Sequence, residues 1–230
     1  MPGQNYYLLT ALPALGELGS EPPLTGSQLL AKVAESGGPD EIVSALLLAD
    51  DLLQREALLA GEIDPDRADP AVLSVAQMRD EQPLPEYFQP GELDQAPRIA
   101  VDAVWGAYFR HTAALAARTG SAFVRAWVGF EVALRNAVAA ERARALGLDA
   151  HAYVVAADLA DEDADVSEPV AEFSAADSPL AAQRALDLAR WRWITEHDAY
   201  FTYADDELAA YAARLSLLHR WQRLKKPAER

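Results

Sequence analysis

The sequence predicts an all-α protein made of antiparallel helical bundles, read as two related units. Three observations lead there. From Ser121 to Leu148 the residues Phe123, Trp127, Phe130, Leu134, Ala137 and Val138 recur at alternating steps of about four and three, the repeat of a helix with one buried stripe. The helix before it ends at Gly120, and two long helices joined by so short a turn must lie antiparallel. A faint internal echo lays Asp51 over Glu131 and Arg55 over Arg135, each arginine followed by an apolar helix and a glycine-containing exit. With 230 residues and 51% hydrophobic composition, the chain can bury a substantial core.

In chain order, Asn5 to Leu12 is an aromatic and aliphatic run stopped by Pro13, too short for periodicity to choose between a helix and an edge strand. Pro13 to Thr25 holds three prolines and two glycines and reads as an ordered loop. Thr25 or Ser27 opens a helix that Gly37 and Gly38 close. Pro39 then starts a second, densely apolar one from Asp40 to Ala60. A turn at Asp64 to Asp69 leads to a short helix over about 70–80. Four prolines and a glycine between Gln82 and Pro97 mark a boundary. Arg98 to Ala117 is the next helix, with Val101, Val104, Trp105, Tyr108 and Leu115 inward. Ser121 caps the organising helix and Gly147 stops it. On that helix Glu131 precedes Arg135 in the favourable i, i+4 order, with Arg142 on the same flank. Asp158 to Asp177 carries eight acidic residues and no basic ones, and reads as an exposed acidic loop. Helices from Leu180 to His197 and from Asp205 to Leu224 follow. The last has one stripe at Leu208, Tyr211, Ala212, Leu215 and Leu218 and a second at Leu217, Trp221 and Leu224, so it needs two neighbours. The domain reading is an N-terminal helical part over 1–90 and a C-terminal bundle over 91–230 around the helix at 121–146, the two read alternatively as one continuous domain.

A formal charge of −16 argues against sequence-independent nucleic-acid binding, which needs clustered lysine and arginine. Cysteine is absent, which fits a reducing compartment. No run reaches the 18 or so apolar residues that span a bilayer, and the N-terminus lacks the basic start of a signal peptide, so the expected location is cytoplasmic. Neither GxSxG nor a phosphate-binding glycine pattern occurs. The histidines His111, His151, His197 and His219 form no HExxH and follow no glutamate at the spacing of a di-metal bundle. The expectation is no enzyme, no cofactor and no metal. Adjacent residues on a helix point apart, so the Glu196, His197, Asp198 triplet reads as a charged helix end. Glu141 lies near the apolar stripe, and either the helix has left the core there or Glu141 pairs with an arginine from another helix.

Three segments carry a resemblance: NYYLLTALPAL from Asn5, FVRAWVGFEVALRNAVAAERARALGLDAHAYVV from Phe123, and LARWRWITEHDAYFTYADDELAAYAARLSLLHRWQRL from Leu188. Together they resemble the uncharacterised bacterial family encoded among the subunits of V-type ATPases. The most distinctive pieces are YYLxxxLP, carried by Tyr6, Tyr7, Leu8, Leu12 and Pro13, and RWxW, carried by Arg190, Trp191 and Trp193. More distantly, Glu131, Arg135, Asn136 and Gly147, Leu148, Asp149 are similar to a repeat unit of the V-type C protein, called d in eukaryotes, which sits on the rotor ring. The resemblance implies a fold like that of the C protein and a non-catalytic central-stalk coupler of a V-type ATPase or ATP synthase. Its partners are then the central shaft subunits and the membrane rotor ring, and the chain is peripheral to the inner membrane through the complex. Trp and Arg are typical interface anchors, so Trp127, Arg135, Arg142, Trp191, Arg192 and Trp221 are the interface candidates. The alternatives are an assembly factor for the same complex and a helical enzyme using carboxylates.

Overall fold

The computed structural model describes residues 5–88 and 99–225. Among them there is no strand, and nine α-helices account for the regular structure. These are α1 (Tyr6–Ala11), α2 (Gly26–Ser36), α3 (Asp40–Leu59), α4 (Val75–Met78), α5 (Ala100–Thr119), α6 (Ala122–Ala145), α7 (Ser167–Ala175), α8 (Pro179–His197) and α9 (Asp205–Lys225), with short 3-10 turns between. No helix among the described residues is long and apolar enough to cross a membrane.

Most helix ends follow from local chemistry. Thr25 accepts from the Gln28 N–H while the Gln28 side chain accepts from the Thr25 N–H, a capping box that starts α2. Ser121 accepts from the Val124 N–H at 3.1 Å and starts α6. Gly120 at φ 75° makes the reversal between α5 and α6, a backbone conformation that a side chain would strain.

The contacts divide the chain into two units. One comprises the described residues up to Leu84 together with those from Trp191 onward; the other runs from Pro85 to Arg190. The single break expected at residue 90 lies outside the described residues. The C-terminal helix joins the N-terminal unit because its two apolar stripes are covered there. Leu208, Ala212, Leu215, Leu217 and Leu218 are buried, and α9 packs on α3 and α2. In the second unit α5 and α6 form the central pair, with the 3-10 turns at Ala150–Tyr153 and Ala157–Leu159 and helix α7 against α6.

Several local readings change. The helix expected over 70–80 is only α4, because the backbone N–H groups of Ala71, Val72 and Leu73 point at the Asp51 carboxylate and the helix starts after them at Ser74. The acidic loop contains α7, entered through Asp165, whose Oδ1 accepts from both the N–H and the hydroxyl of Ser167. Val101, expected inward, is exposed in the first turn of α5. The Asn5 to Leu12 run is the helix α1.

Candidate functional site

Arginines within each unit decide where the charged side chains lie. Arg190 in α8 donates through Nε to Glu131 Oε1 at 2.6 Å and through Nη2 to Oε2 at 3.1 Å, a two-point pair with α6. Its Nη1 reaches Asp187 Oδ1 at 3.3 Å, and Asp187 is fully buried. Burial alone would lower the Arg190 guanidinium's proton affinity. The charge and hydrogen bonds of Glu131, then those of Asp187, more than reverse it, and the net shift is upward. The expected Glu131–Arg135 pair along α6 therefore does not form. Arg135 turns to Asp102 at 3.2 Å and lies over the Trp105 ring at 4.8 Å. Glu141, half-buried, pairs with Arg144 on its own helix and not with an arginine from another helix, while Ala143 keeps that last turn of α6 in contact with the core.

The interface candidates occupy different surroundings. Trp127 is a core residue, 8% exposed, its ring parallel to that of Phe123 and tilted against that of Phe130. Arg135 is held as described. Trp221 is half-buried with its Nε1 close over Gly19, in the loop that α9 clamps. Tyr211, His219 and Gln222 hydrogen-bond in turn to the carbonyls of Pro13, Leu24, and Gly19 with Ser20. Trp191 is half-buried; Arg142 and Arg192 are exposed. Within the charged triplet the side chains diverge. His197 stacks on Trp193 at 3.9 Å, Asp198 pairs with Arg214, and Glu196 is exposed.

The most exposed aromatic residues lie elsewhere, in the first unit, where α1 meets the loop from α8 to α9. The Asn5 N–H donates to the Tyr203 carbonyl at 3.0 Å and its amide donates to Asp205 at 2.8 Å, which pins the start of α1 to that loop. Tyr6 packs edge-on against Tyr203 at 4.8 Å and against Tyr7 at 5.4 Å. Tyr7 is 83% exposed and Phe201 81%, and Tyr200, its ring 6.2 Å from that of Phe201, is exposed too. Exposed aromatic surface gathered where two elements meet marks interaction sites.

The loop that presents these rings is backbone-strained. Phe201 and Tyr203 have φ of 63° and 54°, a left-handed conformation that is a genuine outlier for bulky side chains. The Glu207 carboxylate holds them there, accepting from the Phe201 N–H at 3.1 Å and the Tyr203 N–H at 2.6 Å. Strain persists only where surrounding contacts over-determine it, and it clusters at functional surfaces. Arg214 lies over the Tyr200 ring at 5.1 Å and pairs with Asp198, whose carboxyl burial pushes up against the opposing pull of that arginine.

Sequence reasoning named Tyr6 and Tyr7 for their distinctiveness and not as surface residues, and it left Phe201 aside. The signal available was the aromatic density of Tyr200, Phe201 and Tyr203 in a segment too short to form a helix.

Residues 74–228 match the family described as Protein of unknown function (DUF2764). The chain belongs to that family. The DUF2764 match takes in α4 to α9 and so contains Arg190, Glu131 and the strained aromatic loop, while Tyr6 and Tyr7 precede it. No curated protein and no solved structure matches the chain.

Proposed function

We propose that this DUF2764 chain is a non-catalytic component of a bacterial V-type ATPase or ATP synthase, a central-stalk coupler between the shaft and the membrane rotor ring. One observation carries the reading. Tyr6 and Tyr7, from one of the two most distinctive pieces of the resemblance to the family encoded with V-type ATPase subunits, stand at the surface, where Tyr6 packs on Tyr203 of the strained loop and Tyr7 packs on Tyr6. Residues needed only for a core would be buried. A coupler transmits torque and does no chemistry of its own, so it needs stiff elements and a surface that grips. Helices α6 and α9, of 24 and 21 residues, supply the first, being about 36 and about 31 Å long. The aromatic surface supplies the second. In this reading the location is cytoplasmic, peripheral to the inner membrane through the complex.

The test is gentle purification of the intact ATPase from native membranes. Stoichiometric retention with the shaft subunits through salt washing, with loss of ATP-driven ion pumping when the chain is removed, is the expected result. Absence from the active complex overturns the coupler reading, and presence only in immature complexes makes the chain an assembly factor.

A further inference from the structure

We infer that the aromatic surface of Tyr6, Tyr7, Phe201 and Tyr203 receives a basic segment of another protein, whose arginine or lysine side chains lie on the exposed rings. The inference rests on reading the chain as an interaction protein of the ATPase and adds the chemistry of what it grips.

Charge is the first argument. Residues 196–207 contain five acidic side chains and no lysine or arginine, and with Asp198 buried and paired to Arg214 the other four carry the negative charge of the rim. Asp205 bonds to the Asn5 amide and Glu207 to two backbone N–H groups, so neutral donors orient these carboxylates without cancelling their charge. A cation arriving at the rings therefore meets both negative ring faces and a negative rim.

Within the first unit there is already a template for such a contact. Arg214 lies over Tyr200, pairs with Asp198 and donates to the Tyr200 phenol oxygen. The second unit repeats the arrangement with Arg135, Trp105 and Asp102. In both, an arginine is held by a ring face and a carboxylate together. Tyr7 and Phe201 offer rings of the same kind to solvent, and Glu207 fixes the loop before any partner arrives, which lowers the ordering cost of binding.

The test places a photo-crosslinking benzoylphenylalanine at position 7 or 201 of the full chain in native membranes and identifies the captured peptide by mass spectrometry. That peptide is then synthesised and titrated against the wild type and against Tyr7→Ala and Phe201→Asn. Alanine suits the exposed helical position and asparagine tolerates the left-handed backbone, so both variants should keep the wild-type circular dichroism. The expected peptide carries about two or more Lys or Arg residues within two helical turns. Its binding weakens roughly tenfold or more in each variant, and again roughly tenfold between about 50 and about 300 mM salt. Capture of an acidic or neutral segment, capture of a second copy of this chain, salt-insensitive binding, or no capture from either position overturns the inference. If the chain co-purifies with the ATPase but captures no basic segment, the inference fails alone. Capture of a basic segment from a protein outside that complex supports the inference and overturns the coupler.

Discussion

Replacing Arg190 by methionine tests whether the ionic hub of the second unit holds that unit together. Arg190 is 12% exposed, Glu131 16% and Asp187 0%, so removal of the guanidinium strands two carboxylates in surroundings that water barely reaches. Breaking a buried pair by deleting one partner costs about 3–5 kcal/mol, most of it the penalty of the charge left behind. Methionine nearly conserves the apolar stem, so lost packing adds little. For a chain of this size the loss corresponds to about 6–20 °C in Tm, and urea unfolding followed by tryptophan fluorescence should show a matching drop in midpoint. One control separates charge from packing. The triple variant Glu131→Gln, Asp187→Asn, Arg190→Met carries no stranded charge and should recover a large part of the loss. A change under about 1 kcal/mol, or a triple variant no more stable than the single one, would refute the account of Arg190 as the hub.

Three other perturbations follow from the same geometry. Burial raises the Asp51 carboxyl from 3.8 to about 6, against three backbone N–H bonds that lower it. The folded chain thus binds the extra proton between these values, so stability measured relative to Asp51→Asn should fall by about 2–3 kcal/mol as pH rises from about 4 to about 6, then level off. A relative stability that climbs with pH, read from urea midpoints, would contradict this. Glu207→Gln should speed amide hydrogen exchange at Phe201 and Tyr203 while lowering global stability by only about 1 kcal/mol, since relief of left-handed strain offsets the weakened bonds; unchanged exchange would show that the loop is held otherwise. Asn136→Ala removes both bonds to the Val155 backbone, at 2.9 Å each, and should cost about 2–3 kcal/mol in urea unfolding.

The helices were legible in the sequence wherever a stripe and its caps agreed. Periodicity found α6, and the Ser121 cap and the Gly147 exit bounded it, because these signals are local. The partners of charged residues were not legible. The i, i+4 rule pairs Glu131 with Arg135 in an isolated helix for about 0.2–0.5 kcal/mol. A two-point bond to Arg190 across 59 positions is worth more and prevails. Trp127 illustrates a second limit: a tryptophan reads as an interface anchor in sequence, but the same ring fills a core when Phe123 and Phe130 lie on the same helix face. The strained loop shows a third, since positive φ at Phe201 and Tyr203 is imposed by Glu207 and has no compositional signature.

The internal echo meets the same test and does not carry a kinship of the two units. Its aligned residues do different work. Asp51 gathers the N–H groups of Ala71, Val72 and Leu73, whereas Glu131 binds a guanidinium; Arg55 bonds to the Gln77 carbonyl and to Asp80, whereas Arg135 bonds to Asp102 and covers a tryptophan. What the units share is a side-chain amide that grips one residue of a returning segment at both its N–H and its C=O. Gln54 does this to Asp69 and Asn136 to Val155. Under the alignment of Asp51 with Glu131, Gln54 falls opposite Leu134 and Asn136 opposite Glu56, so the two grips are out of register. A shared device at unshared positions is what backbone chemistry selects whenever a chain must return along a long helix, because the returning N–H and C=O need partners that the helix backbone cannot offer.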